Sequence, residues 1–451
     1  MPPIAGICSV SSRPPAKPPP KNEPGASFPK PAAMSNMEQC KRRFAELIVN
    51  LGANVQRDQQ VLIMAEPSNI DLADMAAEFC YQRGARFVDV KVSLPAVARY
   101  HLLSAPADRL TYVPTYQTVQ MDQLVDSGGA LIAFRSQDEP DLYEDLDEKQ
   151  QKRLNQMLVG RRDAIKRYRE EGVLKRKVGW CLAGPPSPKW AQKIFPDLTA
   201  REAEEALWKD LITMTFADQD DCLKLWSEHL DRLARRTQAL DKMEIKELRF
   251  LNPTLGTDLK VTLSPAARWV SGRKQTAQGL DVCLNIPTFE VFTTPDWRGT
   301  EGEVALTRPV MINGSLVEGL KVKFQDGEIV EVEGSKNVAA YEAMINTPGD
   351  PTAKRLGEVA LVGIDSPIFQ SGRIYQHTLY DENAACHIAT GMAYTVGIEN
   401  GDKLSPDELD DLGFNRQAKT HQDVMISDEN TTVLADGKTL IENGAWVKEL
   451  A

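Results

Sequence analysis

The sequence predicts an α/β protein in two parts: an N-terminal α/β domain with a mainly parallel sheet, then a C-terminal strand-rich α+β domain. Three observations lead there. The chain has 451 residues, more than one hydrophobic core usually organises. Its first half alternates short apolar runs with segments of helical period, the βαβ texture of a parallel sheet covered by helices. Its second half shows period-two alternation broken by Gly, Asn and Asp.

Composition narrows the partners. Against 64 Asp and Glu stand 53 Lys and Arg, a net charge of −11, which argues against nucleic acid or an anionic membrane surface as the main partner. No apolar run approaches the roughly 18 residues of a membrane helix. The seven cysteines are scattered, without a CxxC pair, so they offer no thiolate metal site and fit a reducing compartment. A cytoplasmic location is expected.

Ten of the 28 prolines fall in the first 33 residues, with one acid, Glu23, so residues 1–36 are expected to form a disordered arm. The scarcity of acids also leaves room for a transit peptide. From 37 to 245 the N-terminal domain is expected. QQVLIMAE (59–66), RFVDVKVS (86–93), ALIAFRS (130–136) and KVGWCLAG (177–184) read as buried strands, with helices such as IDLADMAAEFCYQRG between them. Neither GxGxxG nor GxxxxGK[ST] follows a strand, which leaves a nucleotide module with little support. Two long helices, about 200–215 and 219–243, close this part. The C-terminal domain, 246–451, carries strands such as EIKELRFLN, DLKVTLS and GLKVKFQDG, a hairpin turning on Asp326-Gly327, and a helix over 383–397.

Chemistry gathers in this second part. In DENAACHIATGMAY (381–394), helical spacing puts Asn383, His387 and Tyr394 on one stripe, with Asp381 as N-cap and Glu382 entering only from the first turn. In THQDVMIS, a strand would turn His421 and Asp423 to one side and Gln422 to the other. Glu290 stands in NIPTFEVFTTP and Glu358 in LGEVALVG, apolar surroundings that are costly for a carboxylate unless it is paired or binds a metal. Taken singly, each has an ordinary structural reading: a satisfied helix histidine, a surface His–Asp pair, a strand-end acid reaching water. Together, four carboxylates and two imidazoles without cysteine form the ligand chemistry of a two-metal hydrolytic site, open to Zn, Co, Mn or Mg.

The segments NIPTFEVFTTP, EGEV, GSLVEGL, RLGEVALV, DSPI, TLYDENAACHIATGMAY and HQDVMI, in this order, resemble the thermophilic metalloaminopeptidase family of the aminopeptidase T and aminopeptidase S type. The resemblance covers essentially all of 280–427. It implies a metal-dependent aminopeptidase with a C-terminal two-metal site, a homodimer around an interior cavity, and peptide substrates with a free N-terminus. Its metal ligands would be Glu290, Glu358, Glu382, His387, His421 and Asp423. Catalysis would fall to Tyr394 with Glu358 and Glu382. Two departures stand out: Phe289, where an acid often precedes the motif glutamate, and Gln422, where a small apolar residue is common. The rival readings are a metal-binding scaffold without turnover and a non-peptidase hydrolase on the same fold. A glycosidase built on paired carboxylates would leave His387, His421 and Asp423 without a purpose.

Overall fold

A computed structural model describes residues 36–450 except 313, 314 and 348. The expected Pro-rich arm lies outside the described residues apart from Asn36.

The apolar runs of the first half become strands Gln60–Ala65, Phe87–Val92, Ala130–Phe134 and Gly179–Ala183, all parallel. Helix Ile70–Gln82 crosses between the first two and buries Leu72, Ala73, Ala76 and Cys80, one stripe at helical spacing. One expectation needs correction. Strand Phe87–Val92 lies at the sheet edge, and Phe87 (55 %), Val90 (40 %) and Val92 (41 %) are exposed rather than buried. At the opposite edge, Asn285–Ile286 from the second half pairs in parallel with Leu182 and Ala183, so a segment beyond residue 245 completes the first sheet.

Helices Ala200–Met214 and Cys222–Asp241 follow as expected, the first opened by a capping box in which Thr199 and Glu202 satisfy each other's backbone N–H groups. The second half holds an eight-stranded sheet, built by antiparallel pairing, and a smaller antiparallel sheet of five strands. The hairpin turn at Asp326 and Gly327 has φ of 52° and 81°, the left-handed pair that a two-residue turn requires.

The five-stranded antiparallel sheet runs in the order His421–Met425, His387–Gly391, Leu356–Leu361, Val291–Thr293, Val270–Ser271. Two sequence expectations meet it with opposite outcomes. HQDVM is a strand, with His421 and Asp423 on one face. The helix expected over 383–397 does not form. Thr378–Asp381 makes one helical turn, Glu382–Ala384 a tighter one, and the chain then extends so that His387–Gly391 is a central strand. The cause is tertiary: HIATG has strand partners on both sides, and helical spacing over this stretch cannot compete with two ladders of backbone hydrogen bonds. Asp381 precedes the tight turn Glu382–Ala384, but its side chain makes no capping hydrogen bond there. Its carboxylate accepts from the backbone N–H groups of Tyr375 and His377 and faces Arg308 at 3.4 Å.

Candidate active site

The antiparallel sheet builds the site by register. Glu358 and Asp423 both stand opposite Ala389, one from each neighbouring strand, so the three share one face of the sheet. His387 is two residues before Ala389 on that face, and His421 pairs with Gly391 two residues after it. The methyl group of Ala389 is thus the floor between two carboxylates and two imidazoles. Glu290 enters from the adjoining strand, immediately before the Val291–Leu361 pair. Tyr394 comes from the turn after His387–Gly391 and sets its ring 4.7 Å from that of His421.

All seven expected residues line one cavity of about 340 Å³. Glu290, Glu358 and His387 offer ligand atoms within 4.8 Å of one another. His387 Nε2 lies 3.0 Å from Glu290 Oε2 and 3.9 Å from Glu358 Oε1, while His421 Nε2 lies 3.4 Å from Asp423 Oδ1 and 3.7 Å from Glu358 Oε2. Glu358 therefore stands between the two imidazoles. Glu382 sits at the start of the tight turn, accepts from Asn383 Nδ2 at 3.3 Å, and makes no ion pair among the described residues. Asn383 holds the turn to the motif glutamate's strand by accepting from Phe289 N–H at 2.6 Å.

The imidazole tautomers follow from their backbone partners. Nδ1 of His387 faces the carbonyl of Ala385 at 3.1 Å and Nδ1 of His421 that of Met392 at 2.7 Å. A carbonyl only accepts, so both Nδ1 atoms carry hydrogen and both rings turn Nε2, a lone pair whenever the ring is neutral, toward carboxylates. His387 Nε2 makes no hydrogen bond although it is buried beside Glu290. Such pairs share a cation, a proton in the bare cluster or a metal ion when one is bound.

Electrostatics of the bare cluster agree. Burial, with Glu290 and Asp423 nearby, pushes the Glu358 carboxyl up to about 8 despite the opposing pull of His421. Burial, Asp423 and Glu290 hold Glu382 well above the carboxylate range. Burial would lower both imidazoles, but Glu290 beside His387, and Tyr394 and Asp423 beside His421, hold them well above their ordinary value. Without metal, protons gather where charge must be neutralised. Buried oxygen and imidazole donors of this kind fit hard and borderline divalent ions. Cys386, next to His387, points elsewhere, donating to Val362 O at 3.3 Å.

The cavity wall also contains residues that sequence reasoning did not select, among them His377, whose Nε2 meets Arg135 O at 2.9 Å, and Lys274. Lys274 carries no motif signal; SGRKQTAQG reads as an ordinary polar turn. The other two histidines, His101 and His229, sit in helices away from the cavity.

Comparison with known proteins gives concordant results. The model of the thermophilic metalloprotease (M29) family matches residues 37–446. The chain is similar to "Aminopeptidase 2" of Geobacillus stearothermophilus, 35 % identical over 93 % of this chain and 100 % of that protein. It is also similar to "Aminopeptidase T" of Thermus aquaticus, 33 % identical over 90 % and 98 %. The solved structure of wild-type AmpT from Thermus thermophilus superposes with a TM-score of 0.80 at 31 % identity, covering 91 % of this chain and all of that one. A dihydroxypyridine dioxygenase from Pseudomonas putida shares the fold alone, at a TM-score of 0.51 and 13 % identity.

Proposed function

The chain belongs to the thermophilic metalloprotease (M29) family and is a metalloaminopeptidase; from that premise we propose that it works with two divalent ions held by Glu290, Glu358, Glu382, His387, His421 and Asp423. The observation that supports this most directly is the pair of Nε2 lone pairs turned toward three carboxylates, with Glu358 between them. Zn, Co, Mn and Mg all suit the donor set.

When bound, such ions polarise a carbonyl oxygen and make water a stronger acid. The chain's residues supply the rest. Glu358 or Glu382 takes a proton from the attacking water and returns it to the leaving amine. The Tyr394 hydroxyl, beside His421, offers a hydrogen bond to the reacting centre. Acids of the cavity also meet the positive α-amino group of a peptide, which restricts cleavage to the first residue.

Glu290→Ala and His387→Ala test the reading. Both variants should lose bound metal by elemental analysis and at least about 10³-fold in kcat/KM on aminoacyl p-nitroanilides. Chelation should silence the native enzyme and metal re-addition restore it. Full activity in either variant would sink the assignment, and metal retention without amide hydrolysis in the native chain would favour a scaffold.

The same proposal includes a homodimer and a cytoplasmic location. Phe87 on the edge strand, Val97 and Tyr100 on the helix Pro95–Ser104, and Tyr116 on the helix Thr115–Ser127 are exposed large apolar side chains of the kind subunits cover. The six described cysteines are free and buried, which suits a reducing compartment.

A further inference from the structure

Lys274 occupies a place that packing alone does not explain. It lies on the short strand Arg273–Gln275, opposite Val282, and its side chain enters the cavity wall shared with Glu290, Glu358 and His387. The residue is 8 % exposed, yet Nζ makes no hydrogen bond and no ion pair among the described residues. Its nearest described partner is the ring of Phe292, whose centroid is 4.1 Å from Nζ. A cation over a phenyl face offsets only part of what a buried amino group loses with its hydration. A donor is therefore kept dry without an acceptor.

Its position relative to the acids says which acceptor is missing. The carboxylates that act on Lys274 most strongly are Glu290 and then Glu358, both beyond ion-pair reach. Tyr394 packs on His421 instead, and its acidic neighbours are Glu358 and Asp423. The two donors thus line one cavity with the cluster, Tyr394 against His421 and Lys274 near Glu290 and Glu358 without an ion pair to either among the described residues. A substrate group fitting there touches the metal-binding acids on one side and an N–H donor on the other.

Resting on the aminopeptidase reading above, we propose that Lys274 is a catalytic residue whose ε-amino group donates to the scissile carbonyl oxygen as that oxygen becomes an oxyanion. Water oxygen bonds to the carbonyl carbon, its proton passing to a site carboxylate, and the π pair moves onto the carbonyl oxygen facing Nζ. On collapse the pair returns, the C–N bond breaks, and the amine leaves with the proton held by the carboxylate. The amino group donates in either protonation state, and the growing negative charge strengthens its bond only in the transition state.

The test uses the metal-loaded enzyme and a neutral aminoacyl p-nitroanilide, which has no C-terminal carboxylate. Hydrolysis by the native enzyme checks the aminopeptidase reading independently of the lysine. In Lys274→Met, kcat should fall about 10²- to 10³-fold with KM within about threefold and metal content unchanged. Lys274→Arg should recover part of the loss. Lys274→Gln, which keeps a neutral N–H donor, should fall between and serves where methionine is not tolerated. A tetrahedral α-aminophosphonate should bind the Met and Gln variants at least about tenfold more weakly, while a free amino acid binds equally well. The proposal is overturned by native kcat in Lys274→Met, by a defect confined to KM of substrates ending in a carboxylate, or by loss of metal in both the Met and Gln variants.

Discussion

The ring of His229 shows what burial does to a titratable residue outside the site. Its Nε2 donates to Thr288 O at 2.8 Å, and burial lowers its pKa from 6.5 to about 4. The folded value lies below the unfolded one, so the neutral ring contributes full stability above pH 6.5 and loses it as pH falls toward 4. The loss should be on the order of 3 kcal/mol for this one group. His229→Gln, which can keep the donation to Thr288 without titrating, should flatten the fall in unfolding free energy between pH 6.5 and 4.5. An unchanged slope would show that other groups govern acid stability. His377, also lowered to about 4 by burial, makes a parallel contribution in the same window.

At the scale of elements, the sheet carrying His387 depends on two glycines. Gly357 lies at the irregularity between Leu356 and Glu358, and a Cβ there would meet Gly391 O and Met392 O, each at 2.5 Å. Gly391 has φ of 105°, and a Cβ there would lie 2.1 Å from Thr420 O, immediately before His421. Gly391→Ala should cost about 1–3 kcal/mol in backbone strain alone and weaken metal binding by moving the His421 strand. Gly437→Ala, at φ of 81° with open space around it, supplies the strain without the clash. Equal melting temperatures and equal metal content in the two variants would refute the close-approach account. These elements also show what the sequence made legible. Three of the four parallel strands and the two long helices follow local pattern, because their apolar period and their burial agree, and the His421–Asp423 strand follows from its alternation; the edge strand Phe87–Val92 is apolar in sequence but exposed. His387 was visible as chemistry and wrong as geometry. The spacing of DENAACHIATGMAY fits a helix, but pairing with strands far along the chain decides its conformation. Lys274 was invisible, since a lone lysine among polar residues acquires meaning only from a cavity assembled by distant segments.

At the scale of the molecule, the apolar edge of the first sheet faces away from the opposite edge completed by Asn285–Ile286. If subunits meet on that exposed edge, Tyr100→Glu should convert dimer to monomer in light scattering coupled to size exclusion. Metal content per chain should not change, because Tyr100 does not line the cavity. A native chain that is monomeric at micromolar concentration would remove the dimer from the proposal.

The completed edge has a consequence for how the chain is made. As synthesis proceeds from the N-terminus, strand Gly179–Ala183 has one side unpaired until residues 285 and 286 have left the ribosome, more than a hundred residues later. For that interval the nascent sheet presents an open row of backbone donors and acceptors, the surface on which neighbouring chains can misassociate. The stretch that closes it is followed four residues later by Glu290, so the step that ends this exposure also delivers the first acid of the proposed metal site.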